Sequence, residues 1–147
     1  MRDTFYVFFD QFSKDKIVMT QDYHICIRGQ NIGVSYLKVE SNEIGMRLSS
    51  IYPESITYDT KEVEILFVND DVLRIPIIIP TKQIDYNSGR VTIDVVLNDD
   101  HKKLLRTNVI KGVRVSGIMT AIKRGGRRSE RLTEQLGVLI DTDINDF

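Results

Sequence analysis

The chain is poor in the residues that build metal and disulfide sites. Its single cysteine, Cys26, excludes an internal disulfide and suits a reducing cytoplasm. Its two histidines, His24 and His101, leave a zinc cluster short of ligands. His24 and Cys26 lie two apart, on one face of a strand, and read as a half-buried pair rather than a site. No apolar run approaches the roughly 18 residues a membrane helix needs. The opening MRDTFYVFFDQF has Asp3 and Asp10 around its apolar part and no small-residue cleavage site, so it does not read as a signal peptide. There is no G-x-S-x-G, no phosphate-binding loop and no dinucleotide fingerprint. Asp99-Asp100-His101 could suggest metal-assisted hydrolysis, but a helix cap explains it and no further carboxylates support it. No catalytic residue is assigned, and a non-enzymatic protein is expected.

What is present is a globular composition with segregated charge. Hydrophobic residues make up 41% of 147 and charged residues 28%, which fits one soluble domain with a real core. The net charge of −1 hides an asymmetry. Lys102 to Arg131 holds ten Lys or Arg and one acid, and the rest of the chain holds ten bases and twenty acids. Such segregation creates a local positive potential able to attract an anionic ligand or an acidic partner surface. The plainer alternative is a solvated basic face balanced by acidic neighbours.

The chain reads mainly as short β-branched runs punctuated by turn residues. Phe5, Phe8, Phe9 and Phe12 have helical spacing, yet FYVFF also has strand composition, and both readings stay open. These aromatics are expected on the core or against a second subunit, which makes a homo-oligomer through the N-terminus possible. Strands are expected at Tyr23–Arg28, Ile32–Val39, Met46–Leu48, Val63–Val68, Val72–Ile79 and Arg90–Leu97. Pro76 marks the fifth as an edge or a bulge. Turns fall at 29–31, 40–45, 69–71 and 86–89. Asn98 to Asp100 can cap a short helix over His101–Thr107. A strand, Val113–Ile122, then leads to the glycine pair in Lys123-Arg124-Gly125-Gly126-Arg127-Arg128, and the apolar run around Val138–Ile140 follows. Glycine permits a tight reversal, so this stretch predicts a β-hairpin with a basic tip.

Three pieces together resemble the PilZ family. VESNEIGMRL (Val39–Leu48) is similar to that family's D/N-x-S-x-x-G turn and following strand, with Glu40 in place of Asp or Asn, Asn42 in place of Ser, and Gly45 matching. EILFV follows a loop containing Pro53, and VSGIMTAIKRGG…LGVLIDTDIND resembles the closing hairpin. The likeness covers about Tyr23 to Asp146 with an apparent insertion at 81–110, leaving residues 1–22 as an N-terminal extension and 23–147 as the domain. It implies an all-β fold, a six-stranded antiparallel barrel with one or two short helices. It also implies cyclic di-GMP binding, or an adaptor role where the ligand motif has decayed.

Binding members carry R-x-x-x-R before the first barrel strand, where guanidinium forks grip phosphate. Here Ser13–Thr20 offers Lys14 and Lys16 and no arginine. The same spacing recurs at Arg124/Arg128 and Arg127/Arg131, after the turn motif. The candidate ligand or partner residues are therefore Arg124, Arg127, Arg128, Arg131, Glu40, Asn42, Gly45 and Arg47. The expectation is a cytoplasmic, non-catalytic regulatory adaptor that contacts a protein with an acidic surface, with cyclic di-GMP binding weak or lost. The alternatives are a cyclic di-GMP receptor with non-standard arginines, or a small β-barrel nucleic-acid binder. Against the last, Lys102–Arg131 contains no aromatic residue on which a base could stack.

Overall fold

The computed structural model describes residues 5–27, 30–50, 62–77, 83–85, 90–115, 119–122 and 127–147. In chain order the strands are β1 (Tyr6–Phe9), β2 (Lys16–Met19), β3 (Tyr23–Ile27), β4 (Gln30–Lys38), β5 (Ile44–Ser50), β6 (Glu62–Phe67), β7 (Val72–Pro76), β8 (Gln83–Asp85) and β9 (Arg90–Val96). Helix α1 (Asp99–Thr107), β10 (Ile110–Val115), β11 (Met119–Ile122), helix α2 (Arg127–Asp141) and a 3-10 turn at Ile144–Asp146 complete the chain. The protein is thus mainly β, as its composition predicts.

The strands form two antiparallel sheets. Seven belong to the first, ordered β1-β2-β4-β5-β9-β8, with β3 also on β4; the second is ordered β11-β10-β6-β7. The long β4 carries β3 along its first half and β2 at its end, where Leu37 and Lys38 pair with Met19 and Val18. β1 and β2, in the segment read from sequence as an extension, are thereby hydrogen-bonded into the larger sheet.

Period-two burial explains the core. Ile32, Val34 and Tyr36 of β4, Ile44, Met46 and Leu48 of β5, and Ile93 and Val95 of β9 share one buried face of the large sheet. Val63, Ile65 and Phe67 of β6, Leu73 and Ile75 of β7, and Val113 of β10 supply the small sheet's apolar face. Both faces join Leu105 of α1 and Leu132, Leu136 and Leu139 of α2 in a single core. Each such side chain contributes about 1.5–3 kcal/mol of burial.

Three hairpin loops share one device, a non-glycine residue with positive φ. Asn42 has φ 63°, and the Asn42 N–H donates to the Val39 carbonyl at 2.8 Å while that of Val39 reaches Glu43. Asp70 has φ 70° and the same pair of bonds links Phe67 with Asp70 and Asp71. This is the three-residue hairpin loop, whose last position requires the left-handed region. Asn and Asp tolerate that region better than other residues. Lys14, in the β1–β2 turn, adopts φ 64°.

Helix α1 begins where Asn98 predicts. The Asn98 side chain accepts from the His101 N–H at 2.8 Å, and His101 Nδ1 accepts from the Asn98 N–H at 3.3 Å. That reciprocal capping box uses both residues of the Asn98–His101 stretch, so the aspartates between them serve the helix start.

Three expectations are corrected. The described strands do not close into a six-stranded barrel; each sheet has two ends. The run Val113–Ile122 is not one strand, because β10 and β11 pair antiparallel with Val113 opposite Ala121. The segment Val138–Ile140 is not the second arm of a hairpin; it is the end of α2. Ser129, Leu132, Leu136 and Leu139 are spaced for one helical face, and all four are buried. That spacing decides for helix over the β-rich look of GVLI. The expected tip at 123–126 lies outside the described residues.

Candidate interaction surface

The residues singled out around the β4–β5 turn are brought together, but they serve the fold. The Glu40 carboxylate accepts the Lys16 N–H at 2.6 Å, tying the turn to the start of β2. Asn42 Oδ1 accepts the Ile144 N–H at 3.1 Å, which anchors the C-terminal 3-10 turn. Gly45 has ordinary strand backbone, with Leu37 and Val96 as its partners. What a side chain would meet there is spatial, since a Cβ would lie 3.2 Å from the Val95 carbonyl oxygen, a tight contact that β9 must yield to accommodate. The left-handed position of the loop is Asn42, not Gly45. Arg47 is held by both oxygens of Asp94, at 2.7 and 2.9 Å, and its third nitrogen lies 3.6 Å from Met19 Sδ. The fork–fork pair occupies the Nε–Nη2 edge of the guanidinium and fixes its orientation in the sheet.

Beside this turn lies a residue that the sequence did not flag. Lys38 is 3% exposed and its ammonium donates to the carbonyls of Leu139 at 2.8 Å and Thr142 at 2.5 Å, with Ile140 at 3.4 Å. These are the orphan carbonyls at the end of α2, where a cation also meets the negative end of the helix dipole. Burial pushes the ammonium below its ordinary value, and Asp143 opposes that shift. Alternation places Lys38 on the same face as Ile32, Val34 and Tyr36, but a lysine at the end of a strand does not show locally that it is buried. Only the arrival of α2 over β4 creates the need.

Part of the basic stretch is answered by acids outside it. Lys102 pairs with Asp99 at 3.1 Å, Arg106 with both oxygens of Asp141, and Lys111 with Asp70 at 3.3 Å. Arg114 hydrogen-bonds to Glu64, holding that carboxyl below the usual carboxylate range, and Arg74 sits 4.0 Å from the same carboxylate. Among the described residues, Lys102, Arg106, Lys111 and Arg114 are thus paired. Arg127, Arg128 and Arg131 occupy the first turns of α2, where Arg131 is half-buried; the side chains of the first two, and Arg124 entirely, lie outside the described residues. Part of the charge segregation is a property of chain order that folding evens out.

The surface that stands out is apolar. Strand β1 reads YVFF and is exposed along its whole length: Tyr6 53%, Val7 44%, Phe8 40% and Phe9 61%, with Phe12 in the following turn at 96%. Phe5, just before it, rests edge-on against Phe147 with ring centroids 5.3 Å apart. Of the two readings left open by the spacing of these aromatics, the structure adopts the strand. Phe5, partly buried, packs against the core, whereas Phe8, Phe9 and Phe12 are exposed. Among the described residues β1 is the outermost strand of its sheet and is hydrogen-bonded only to β2. Exposed edges are normally guarded by charge, proline or a bulge; between Phe5 and Phe9 there is none of these.

Among the described residues no group of three His, Cys, Asp or Glu is placed to hold a metal ion. No described helix is long and apolar enough to cross a membrane. No protein-family model, curated protein or solved structure matches the chain.

Proposed function

We propose that the protein is a non-catalytic adaptor module, PilZ-like in its central turn and strand, that acts through protein–protein contact at the β1 edge. One observation carries this reading: an unguarded edge strand, apolar on both faces and largely exposed. Contiguous exposed apolar surface of this kind marks interaction sites in folded proteins. An edge with free backbone groups can bind an extended partner by strand addition. An acidic partner surface would meet cations other than Lys102, Arg106, Lys111 and Arg114, which are engaged within the fold.

The competing reading, a cyclic di-GMP receptor, would need donors from the turn motif or from α2. Glu40, Asn42 and Arg47 are committed to contacts within the chain, which favours the adaptor. Two measurements decide. Calorimetric titration of cyclic di-GMP into the purified protein at physiological salt should give no saturable heat. A photo-reactive phenylalanine analogue at Tyr6, in the native host, should cross-link to a protein that mass spectrometry identifies, and Phe9→Lys should abolish the product. Submicromolar nucleotide binding that disappears with Arg127→Ala and Arg128→Ala would replace the adaptor by the receptor. The absence of any cross-linked protein would remove β1 as the contact surface.

A further inference from the structure

We infer that β1 pairs with β1 of a second copy of this chain, antiparallel and centred on Val7, so that two seven-stranded sheets become one. The inference rests on reading β1 as a contact surface and adds which partner covers it and in what register.

The register follows from the backbone. The Asp10 N–H donates to the Asp15 carbonyl at 2.9 Å, so Asp10 turns its polar backbone toward β2. In an antiparallel ladder that direction alternates, and Phe8 and Tyr6, opposite Ile17 and Met19, share it. Phe5, Val7 and Phe9 therefore turn their N–H and C=O groups outward. A two-fold axis through Val7 sets Val7 against itself and Phe5 against Phe9 of the second copy. Every outward group then meets another outward group, giving about six hydrogen bonds. Tyr6 and Phe8 face each other in the non-bonded positions between them, where side chains approach most closely. No charged residue lies between Phe5 and Phe9, so the paired stretch brings no like charges together.

Complementarity selects a second copy over another strand. An ordinary amphipathic strand added here would set its polar side against either the Tyr6 and Phe8 row or the Val7 and Phe9 row. The partner must be apolar on both faces, and β1 is the one described strand composed entirely of hydrophobic residues. The exposed fractions of Tyr6, Val7, Phe8 and Phe9 amount to roughly 400 Å² per chain. Pairing covers their lateral sides together with the outward backbone groups, which places the contact at the small end of specific interfaces. An isologous pair closes on itself, so the edge is capped without starting a filament.

Sedimentation velocity on the purified full chain at micromolar concentration should show a dimer. Val7→Pro removes the central outward N–H at an edge position that tolerates proline, and should raise the dimer dissociation constant at least tenfold. Its circular dichroism should match the wild type; if it does not, Phe9→Lys supplies the same test without touching the backbone. Register is read separately in a Cys26→Ser background. Val7→Cys should close an intermolecular disulfide, since hydrogen-bonded partners stand about 5.5 Å apart at Cα. Phe8→Cys, opposite Tyr6 of the second copy, should not. A wild type that stays monomeric, a dimer indifferent to Val7→Pro and Phe9→Lys, or equal cross-linking at positions 7 and 8 would each overturn the proposal. A monomer whose Tyr6 still cross-links another protein in the host would overturn the second copy alone and leave the adaptor reading standing.

Discussion

Lys38→Met isolates the contact that fastens α2 to the large sheet. Methionine keeps most of the side-chain volume and removes the donor. Two opposed terms follow. The buried ammonium pays a desolvation cost, visible in its lowered pKa, and methionine relieves it. Against this, the carbonyls of Leu139 and Thr142 lose a charged donor at 2.8 and 2.5 Å and cannot be substituted away. Hydrogen bonds to a charged group contribute about 1.5–3 kcal/mol, and a buried orphan acceptor costs about 1–3 kcal/mol. The loss wins, by about 2–4 kcal/mol. With a urea dependence of about 2 kcal/mol per molar, the unfolding midpoint should fall by about 1–2 M, and Tm by about 5–10 °C. The chain has no tryptophan, so far-ultraviolet circular dichroism is the natural signal. A pH signature accompanies the loss. Because the folded-state pKa of Lys38 is lowered, the unfolded chain holds a proton that the native state gives up earlier. Wild-type stability therefore rises with pH between that lowered value and 10.5. Lys38→Met lacks this slope, and the gap to wild type should widen as pH rises through the window. Equal midpoints at neutral pH would refute the reasoning.

Gly45→Ala should destabilise by about 1–2 kcal/mol, and Gly45→Val by more, because the new Cβ forces β5 from the Val95 carbonyl; unchanged melting temperatures would show that the sheet yields freely. His101 carries a pH dependence of opposite origin to a salt bridge. Desolvation lowers its pKa below 6.5, with Asp100 opposing, and its unprotonated Nδ1 accepts the Asn98 N–H. The capping contribution is thus complete above 6.5 and lost as pH falls through the lowered value. His101→Gln, which keeps a capping-box acceptor, should flatten wild-type stability between neutral and mildly acidic pH by about 0.5–1 kcal/mol; identical slopes in both proteins would contradict it.

The sequence by itself determined most of the strands and the first helix. β6, β7 and β9 lie where alternating β-branched runs meet Asn-Asp turns, and α1 starts at its Asn98 cap, because these features depend on residues within a few positions of one another. The candidate site was legible only as local pattern. Glu40, Asn42 and Gly45 do form a turn, but what they bind is set by Lys16, Ile144 and Val95, all distant in the chain. Tertiary structure settled α2: the spacing of Leu132, Leu136 and Leu139 suits a helix, but the β-rich GVLI competes with it locally, and packing of that stripe on the core decides between them. It also decided the charge. Asp70, Glu64 and Asp141 come from outside the basic stretch to meet Lys111, Arg114 and Arg106. The sequence showed five neighbouring apolar residues near the N-terminus. That four of them form a strand outermost among the described residues, with both faces exposed, depended on β2 finding β4, a pairing no local pattern encodes.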